Sequence, residues 1–260
     1  MIDMEYLHTL FYLCPLVFLA GFIDSVAGGG GTISIPAYLL TGMPVHFAFG
    51  TNKLSMTFGT TIAAARFIKN KAIDVRTAIL SGIFAVTGAA IGSQIALLLS
   101  DRSFRLMLII ALPCVAVFLV FRRNKVYEDG HGSLSPKKSI VLAALIGLLI
   151  GMYDGIIGPG TGTFAIIAYN ALMRYDLTTA SGNAKILNLS SNLASLVTFA
   201  LAGNVLFLIG LPAAAFCIAG NYIGAGFAIR KGAKFIRPML FIVLIMLLIK
   251  VIYDFITMTQ

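Results

Sequence analysis

Charge is what this chain has least of. Only 11% of its 260 residues are Asp, Glu, Lys or Arg, and only ten are acidic, against about 25% charged residues in a soluble domain. The segments 106–121, 140–152 and 239–255 carry almost no charge and are long enough to span, or nearly span, a bilayer core. A water-soluble fold is excluded on that ground, and the lipid bilayer is the expected surroundings. Cysteine is scarce too. Cys14, Cys114 and Cys217 lie far apart inside apolar stretches, which argues against a disulfide framework or a thiolate metal site. His8, His46 and His131 are equally scattered, without the spacing of a metal set. No HExxH, no GxSxG and no His–Asp pairing on one helical face is present, so neither catalysis nor a cofactor is expected. Residues 1–8 contain Asp3 and Glu5 but no Lys or Arg, so the basic start of a cleavable signal peptide is missing.

What basic charge there is gives a net +9. It sits in short loops between apolar runs, where the positive-inside rule puts it, and points to a cytoplasmic membrane face rather than to nucleic acid.

The chain repeats itself. Residues 21–32 read GFIDSVAGGGGT and residues 151–163 read GMYDGIIGPGTGT. Gly21, Asp24, Gly28 and Gly30 precede Gly151, Asp154, Gly158 and Gly160 by 130 positions. At an offset of 132, Gly50, Lys53, Gly88, Gly92 and Arg105 match Gly182, Lys185, Gly220, Gly224 and Arg237. An apolar chain duplicated and broken at matched Gly/Asp-rich points is the pattern of a secondary transporter whose site lies between repeats.

The expected fold is an all-α polytopic membrane protein, an inverted repeat of two five-element helical halves. The first half, 1–121, holds elements at about 6–27, 33–42, 48–69, 75–99 and 103–121. A polar linker, 122–138, leads to the second half, 139–260, with elements at about 138–157, 163–174, 178–201, 205–229 and 235–256. The second element of each half is too short to cross about 30 Å of hydrocarbon, so a Gly-broken short helix is expected near each midplane. The loop holding Arg66, Lys69, Lys71 and Arg76 is basic, while its repeat partner around 201–206 is uncharged. The loop Arg230, Lys231, Lys234 and Arg237 is basic, while its partner, 101–105, is nearly balanced. Inversion of the halves satisfies both, with the linker cytoplasmic and both termini external.

The candidate site follows from the breaks. Gly28–Gly31 and Gly158–Gly162 leave backbone groups without helical partners, which is tolerated in a membrane only against protein or a wet cavity. The N-termini of the short helices, with Gly29, Gly30, Gly31 and Thr32 on one side and Gly160, Thr161, Gly162 and Thr163 on the other, offer N–H groups to an anion. Close helix packing is the alternative use of such glycines. Asp24 and Asp154 stand four residues before each break, as proton-coupling acids or as organisers of the loops. By the count of loop amides, Asp154, beside a Pro-containing loop, is expected to be the less stabilised carboxylate and the proton carrier. Lys53 and Lys185, roughly 7–10 Å into their helices, either snorkel to the interface or reach a central cavity, there neutralising the aspartates or binding an anion. Ser181, Lys185, Asn188 and Asn192 share one helical face, and Asn52 and Ser55 lie near Lys53. Gly88–Gly92 and Gly220–Gly224 have GxxxG spacing and are assigned to packing.

GFIDSVAGGGG, TNKL at 51–54, YDGIIGPGTGTF at 153–164 and AKILNLSSN at 184–192 together resemble the TauE/SafE sulfite exporter family, also called the toluene sulfonate uptake permeases, and within it the YfcA-like branch. The likeness covers nearly the whole chain with all four motifs in order. It implies a bacterial inner-membrane carrier of sulfite, sulfonates or related small anions, and is compatible with proton coupling and with assembly of several copies. A passive anion channel or a membrane scaffold is the competing class.

Overall fold

The computed structural model describes residues 4–100, 103, 106, 134–240, 242, 243 and 245. Among these residues there are helices and no strands. The elements are α1 (Met4–Ala27), α2 (Gly31–Leu39), α3 (Val45–Lys69), α4 (Val75–Leu98), α5 (Pro136–Ile156), α6 (Thr161–Met173), α7 (Leu177–Leu201) and α8 (Phe207–Lys231), followed by helix over 233–240. Apart from residues 103 and 106, the element expected at 103–121 falls outside the described residues, as does the end of the one at 235–256. Five helices (α1, α4, α5, α7 and α8) are long and apolar enough to cross a bilayer, and the protein is a multi-pass membrane protein.

Helix starts lie within three residues of expectation, and two of the shifts have a local reason. Pro44 stands at the N-cap of α3 with φ −54° and ψ 149°, so the helix begins at Val45 rather than 48. Ser135 caps α5 by accepting from the N–H of Lys138, with Pro136 at the first helical position, where a missing N–H costs nothing. Lys137 and Lys138 therefore lie in the first turn of a helix, not in a loop.

The helices pack through their small residues and turn their large ones outward. The buried positions of α4 are Thr77, Ala78, Ser81, Gly82, Ala85, Gly88, Ala89, Gly92, Ser93 and Ala96, whereas Ile79, Ile83, Phe84, Val86 and Ile91 are exposed. In lipid, exposed apolar side chains carry no penalty, and close backbone approach supplies the attraction. α4 lies against α5 and α1 against α8. A methyl group added at Gly92 would overlap the carbonyl of Met152, and one at Gly220 the carbonyl of Phe18. The GxxxG steps thus do serve packing.

Helix ends gather at two faces. At the first, Tyr6 donates to the carbonyl of Leu208 (2.9 Å), the N–H of Leu206 donates to Thr51 (3.0 Å), and His46 meets the carbonyl of Ala96 (3.1 Å). Tyr6, Thr41, Met43 and Leu206 line one cavity there. The starts of α1, α3 and α8 and the ends of α2, α4 and α7 therefore share this face. At the second face, the N–H of Asp74 donates to Asn183 (2.9 Å) and Thr77 meets Tyr175 (2.7 Å). Asp74 and Pro136 line a common cavity, and Gly232 lies beside Thr178. α1–α2 thus leaves the first face and returns to it, and α5–α6 does the same from the second. Every described Lys and Arg other than Lys53 and Lys185 belongs to a loop or helix end of the second face.

Candidate functional site

The two hairpins put their breaks against each other. Gly28 has φ +74° and Gly158 φ +87°, a left-handed backbone that glycine adopts without strain. A side chain at Gly28 would collide with the backbone of Gly162, and one at Gly31 would stand 3.1 Å from the Cα of Pro159. The N-terminal ends of α2 and α6 therefore meet head to head at the centre of the bundle.

Into this junction come the two lysines, each from the ninth position of a 25-residue helix, α3 or α7, about 12 Å from its start. Neither snorkels. Lys53 is 2% exposed and Lys185 is fully buried. The pairing crosses between halves. Lys53 of the first half contacts Asp154 of the second at 2.7 Å, and Lys185 of the second contacts Asp24 of the first at 2.7 Å. Each ammonium also donates to the backbone carbonyl of its own aspartate, Lys53 at 3.0 Å to Asp154 and Lys185 to Asp24. The carboxylates stand in the last turns of two α-helices, at the break; the Asp24 carbonyl keeps the N–H of Gly28 (2.7 Å), whereas the N–H of Gly158 goes to Tyr153 and leaves the Asp154 carbonyl without it. At Asp154 the lysine of the opposite half supplies the missing donor and the counter-charge together; at Asp24 it adds a second donor to the carbonyl along with the counter-charge.

The surroundings of the pairs differ. Asp154 receives Thr161 on Oδ1 (2.8 Å) and Ser191 on Oδ2 (2.7 Å), and Lys53 also reaches Asn192 Oδ1 (3.1 Å). Asp24 takes only Lys185 on its carboxylate among the described residues. The expectation that Asp154 is the less stabilised acid is therefore corrected. The reasoning from loop amides failed because the donors to Asp154 are side chains, and they come from the first turn of α6 and the middle of α7.

A cavity of ≈ 20 Å³ lies at the junction, lined by Asp24, Asp154, Lys53, Asn52, Asn188 and Asn192 together with Gly31, Thr161, Gly162, Gly28, Gly158, Ile35 and Met56. It has room for about one water. Of the residues singled out from sequence, Gly29, Gly30, Thr32, Gly160, Thr163 and Lys185 do not line it. Thr32 closes the first break by donating to Gly29 (2.7 Å), and Thr163 ties the halves by donating to the carbonyl of Ala27 (2.7 Å). The N–H groups of Thr32, Ile33 and Thr161 are taken by the turns themselves, so the helix ends offer fewer free amides than the sequence suggested. Ser191 was missed. It stands one turn beyond Asn188, beside the polar face 181–185–188–192, and helical spacing could have included it.

A family model described as "Sulfite exporter TauE/SafE" matches residues 13–251. A "Probable membrane transporter protein" of Haemophilus influenzae is 36% identical over 237 residues, covering 91% of this chain and 92% of that protein. "Probable membrane transporter protein ORF9" of Sinorhizobium sp is 34% identical, covering 95% and 94%. "Probable membrane transporter protein YfcA" of Escherichia coli K12 is 32% identical, covering 96% and 95%. No solved structure gives a significant match.

Proposed function

The chain belongs to the sulfite exporter TauE/SafE family, and from that premise we propose that it is a secondary transporter of a small anion, a sulfur oxyanion or an organosulfonate, working by alternating access. Membrane transport itself is common to the relatives. The observation that carries the finer reading is the reciprocal pairing of Lys53 with Asp154 and Lys185 with Asp24 at the meeting point of two broken helices. A buried ion pair is costly to desolvate and rarely the best way to gain stability, so two of them at the junction of the halves point to use.

In this reading the anion enters the space between Asn52, Asn188, Asn192 and the glycine loops at Gly31 and Gly162, and takes up the ammonium of Lys53. Gly29, Gly30, Thr32, Gly160 and Thr163 hold the shape of the breaks, and Lys185 carries the counter-charge of Asp24. Room for about one water favours a carrier that must change conformation over a standing pore. The halves are inverted relative to each other. Support for this comes from matched helices that start at opposite faces, α1 against α5, α3 against α7 and α4 against α8, and from the collection of basic residues at the second face, which is then cytoplasmic. The first face, with the start of α1, is then external.

The test is binding and uptake by purified protein. An anion present at 100 times its Kd adds about 2.7 kcal/mol of stability, so sulfite and simple sulfonates should raise the unfolding temperature, and less so in Lys53→Gln or Asn192→Ala. Equal responses in those variants would remove the site. Conductance through reconstituted protein at pore-like rates would remove the carrier.

A further inference from the structure

Four carboxylate oxygens face one another's surroundings in this site, and three of them hold donors. Asp154 Oδ1 accepts from Thr161, Asp154 Oδ2 from Lys53 and Ser191, and Asp24 Oδ2 from Lys185. Asp24 Oδ1 has none among the described residues, and Asp24 lines the cavity. Two more acceptors on lining residues, Asn52 Oδ1 and Asn188 Oδ1, are buried without a donor. The cavity is therefore short of protons at one end.

It is also electrically neutral. Lys53 and Lys185 balance Asp24 and Asp154, so an anion entering alone adds an uncompensated charge to a low-dielectric interior. A proton on Asp24 Oδ1 answers both problems. It leaves Oδ2 to Lys185, turns a repelling oxygen into an O–H donor, and raises the site to one net positive charge. Building on the anion-carrier reading, we infer that Asp24 is a proton-binding site, and that one proton bound at Oδ1 accompanies each monovalent anion. The charged or titratable groups facing Asp24 are Lys185 from α7, Cys217 from α8 and, across the cavity, Lys53 from α3 and Asp154 from α5. From α2 and α6 the lining consists of Gly31, Ile35, Thr161 and Gly162, none of which titrates. Of the two carboxylates Asp24 is the one with a free oxygen, so the proton goes there. Both halves of the balance are kept: one proton and one negative charge enter together, and transport moves no net charge.

Methanesulfonate is the suitable probe, because its own charge does not change with pH as that of sulfite does. Its Kd for the wild-type protein, measured calorimetrically across the neutral range, should weaken about tenfold per pH unit, with one proton taken from a weakly buffered solution per anion bound. In Asp24→Asn the Kd should be flat with pH and proton uptake absent. If that variant does not fold, Asp24→Asn with Lys185→Gln keeps the buried pair uncharged and should give the same flat profile. Asp154→Asn should keep the tenfold slope. A slope that survives in Asp24→Asn, a flat wild-type profile, or a dependence on sodium in place of pH would each overturn the proton site. Failure of sulfite and every sulfonate to bind at any pH is a different result, and would overturn the anion-carrier reading itself.

Discussion

The Lys53–Asp154 and Lys185–Asp24 stations have one geometry and two degrees of support. Both pair a lysine from the ninth position of a helix with an aspartate of the other half at 2.7 Å, and both add a bond to that aspartate's carbonyl. Yet Thr161, Ser191 and Asn192 brace the first station, and among the described residues nothing comparable braces the second. The repeat fixes where the charges meet, and single residues within it decide how firmly each is held. A station held on every side is an anchor; one with a bare oxygen on a cavity is where the proposed proton binds. Division of labour between nearly symmetric halves is the lesson of the pair.

The largest effect should come from breaking the weaker station. Lys185→Met leaves Asp24 buried with no donor on its carboxylate among the described residues, and removing one partner of a buried ion pair costs about 3–5 kcal/mol. Lys53→Met should cost less, because Asp154 keeps Thr161 and Ser191. Lys185→Met combined with Asp24→Leu should recover most of the loss, since no unpaired charge remains. Unfolding in detergent reports all three, and equal losses at the two lysines would erase the distinction between anchor and adjustable station.

A smaller effect sharpens the same point from the other side. Ser191→Ala removes one hydrogen bond to a charged group, about 1.5–3 kcal/mol, and should make Lys53→Met as damaging as Lys185→Met when the two changes are combined. A double variant that merely sums the single losses would mean that Ser191 does not support Asp154 in the absence of its lysine.

The junction of the breaks offers a third comparison. Gly162→Ala drives a methyl group into Gly28, with the Asn188 amide 2.7 Å away, and overpacking of this kind costs about 1–3 kcal/mol. At Gly158 the nearest atom to an added methyl is the mobile end of Ile35 at 3.4 Å, so only the left-handed backbone resists. Gly162→Ala should therefore lower the unfolding temperature more than Gly158→Ala, and the reverse order would show that the loops do not meet as described.

The helices were legible because apolar runs and punctuation set them, and the boundaries erred by a few residues, in two cases because a cap acts from one residue away, as Pro44 and Ser135 do. The candidate site was half legible. The offsets of 130 and 132 matched Lys53 with Lys185 and Asp24 with Asp154, but sequence matching compares like with like. It cannot say that Lys53 reaches Asp154 rather than Asp24, because that depends on how the halves dock. The donors Thr161 and Ser191 come from different helices, so no local spacing links them to Asp154. Reasoning from the nearest loop alone missed both of them.

The smallest effect concerns the two faces and four turns. Gly42 and Arg174, and likewise Lys71 and Gly203, are separated by 132 positions, and all four have left-handed φ, at +80°, +60°, +54° and +75°. The same turn thus occurs twice in each half-pair, built once with glycine and once with a basic residue. Glycine stands at the first face and the basic residue at the second. A left-handed backbone costs an ordinary residue about 1–2 kcal/mol, part of which glycine gives back through the greater freedom of the unfolded chain. Strain is therefore accepted at the second face in both turns, where, on the proposed orientation, a positive charge has a topological use. Lys71→Gly should then stabilise the folded protein by about 0.5 kcal/mol, while Gly203→Lys, where no described atom lies within 4 Å of an added Cβ, should destabilise it by about as much. Arg174→Gly should gain less, since Arg174 has a partner to lose. In cells the order inverts. Lys71→Gly together with Gly203→Lys moves charge from the second face to the first, and should increase the fraction of chains inserted with residue 203 inside, as read by accessibility of a cysteine placed at 204. Unfolding that favours Lys71 over glycine would mean that the lysine is held by a contact rather than by topology, and the comparison of the faces would lose its physical basis.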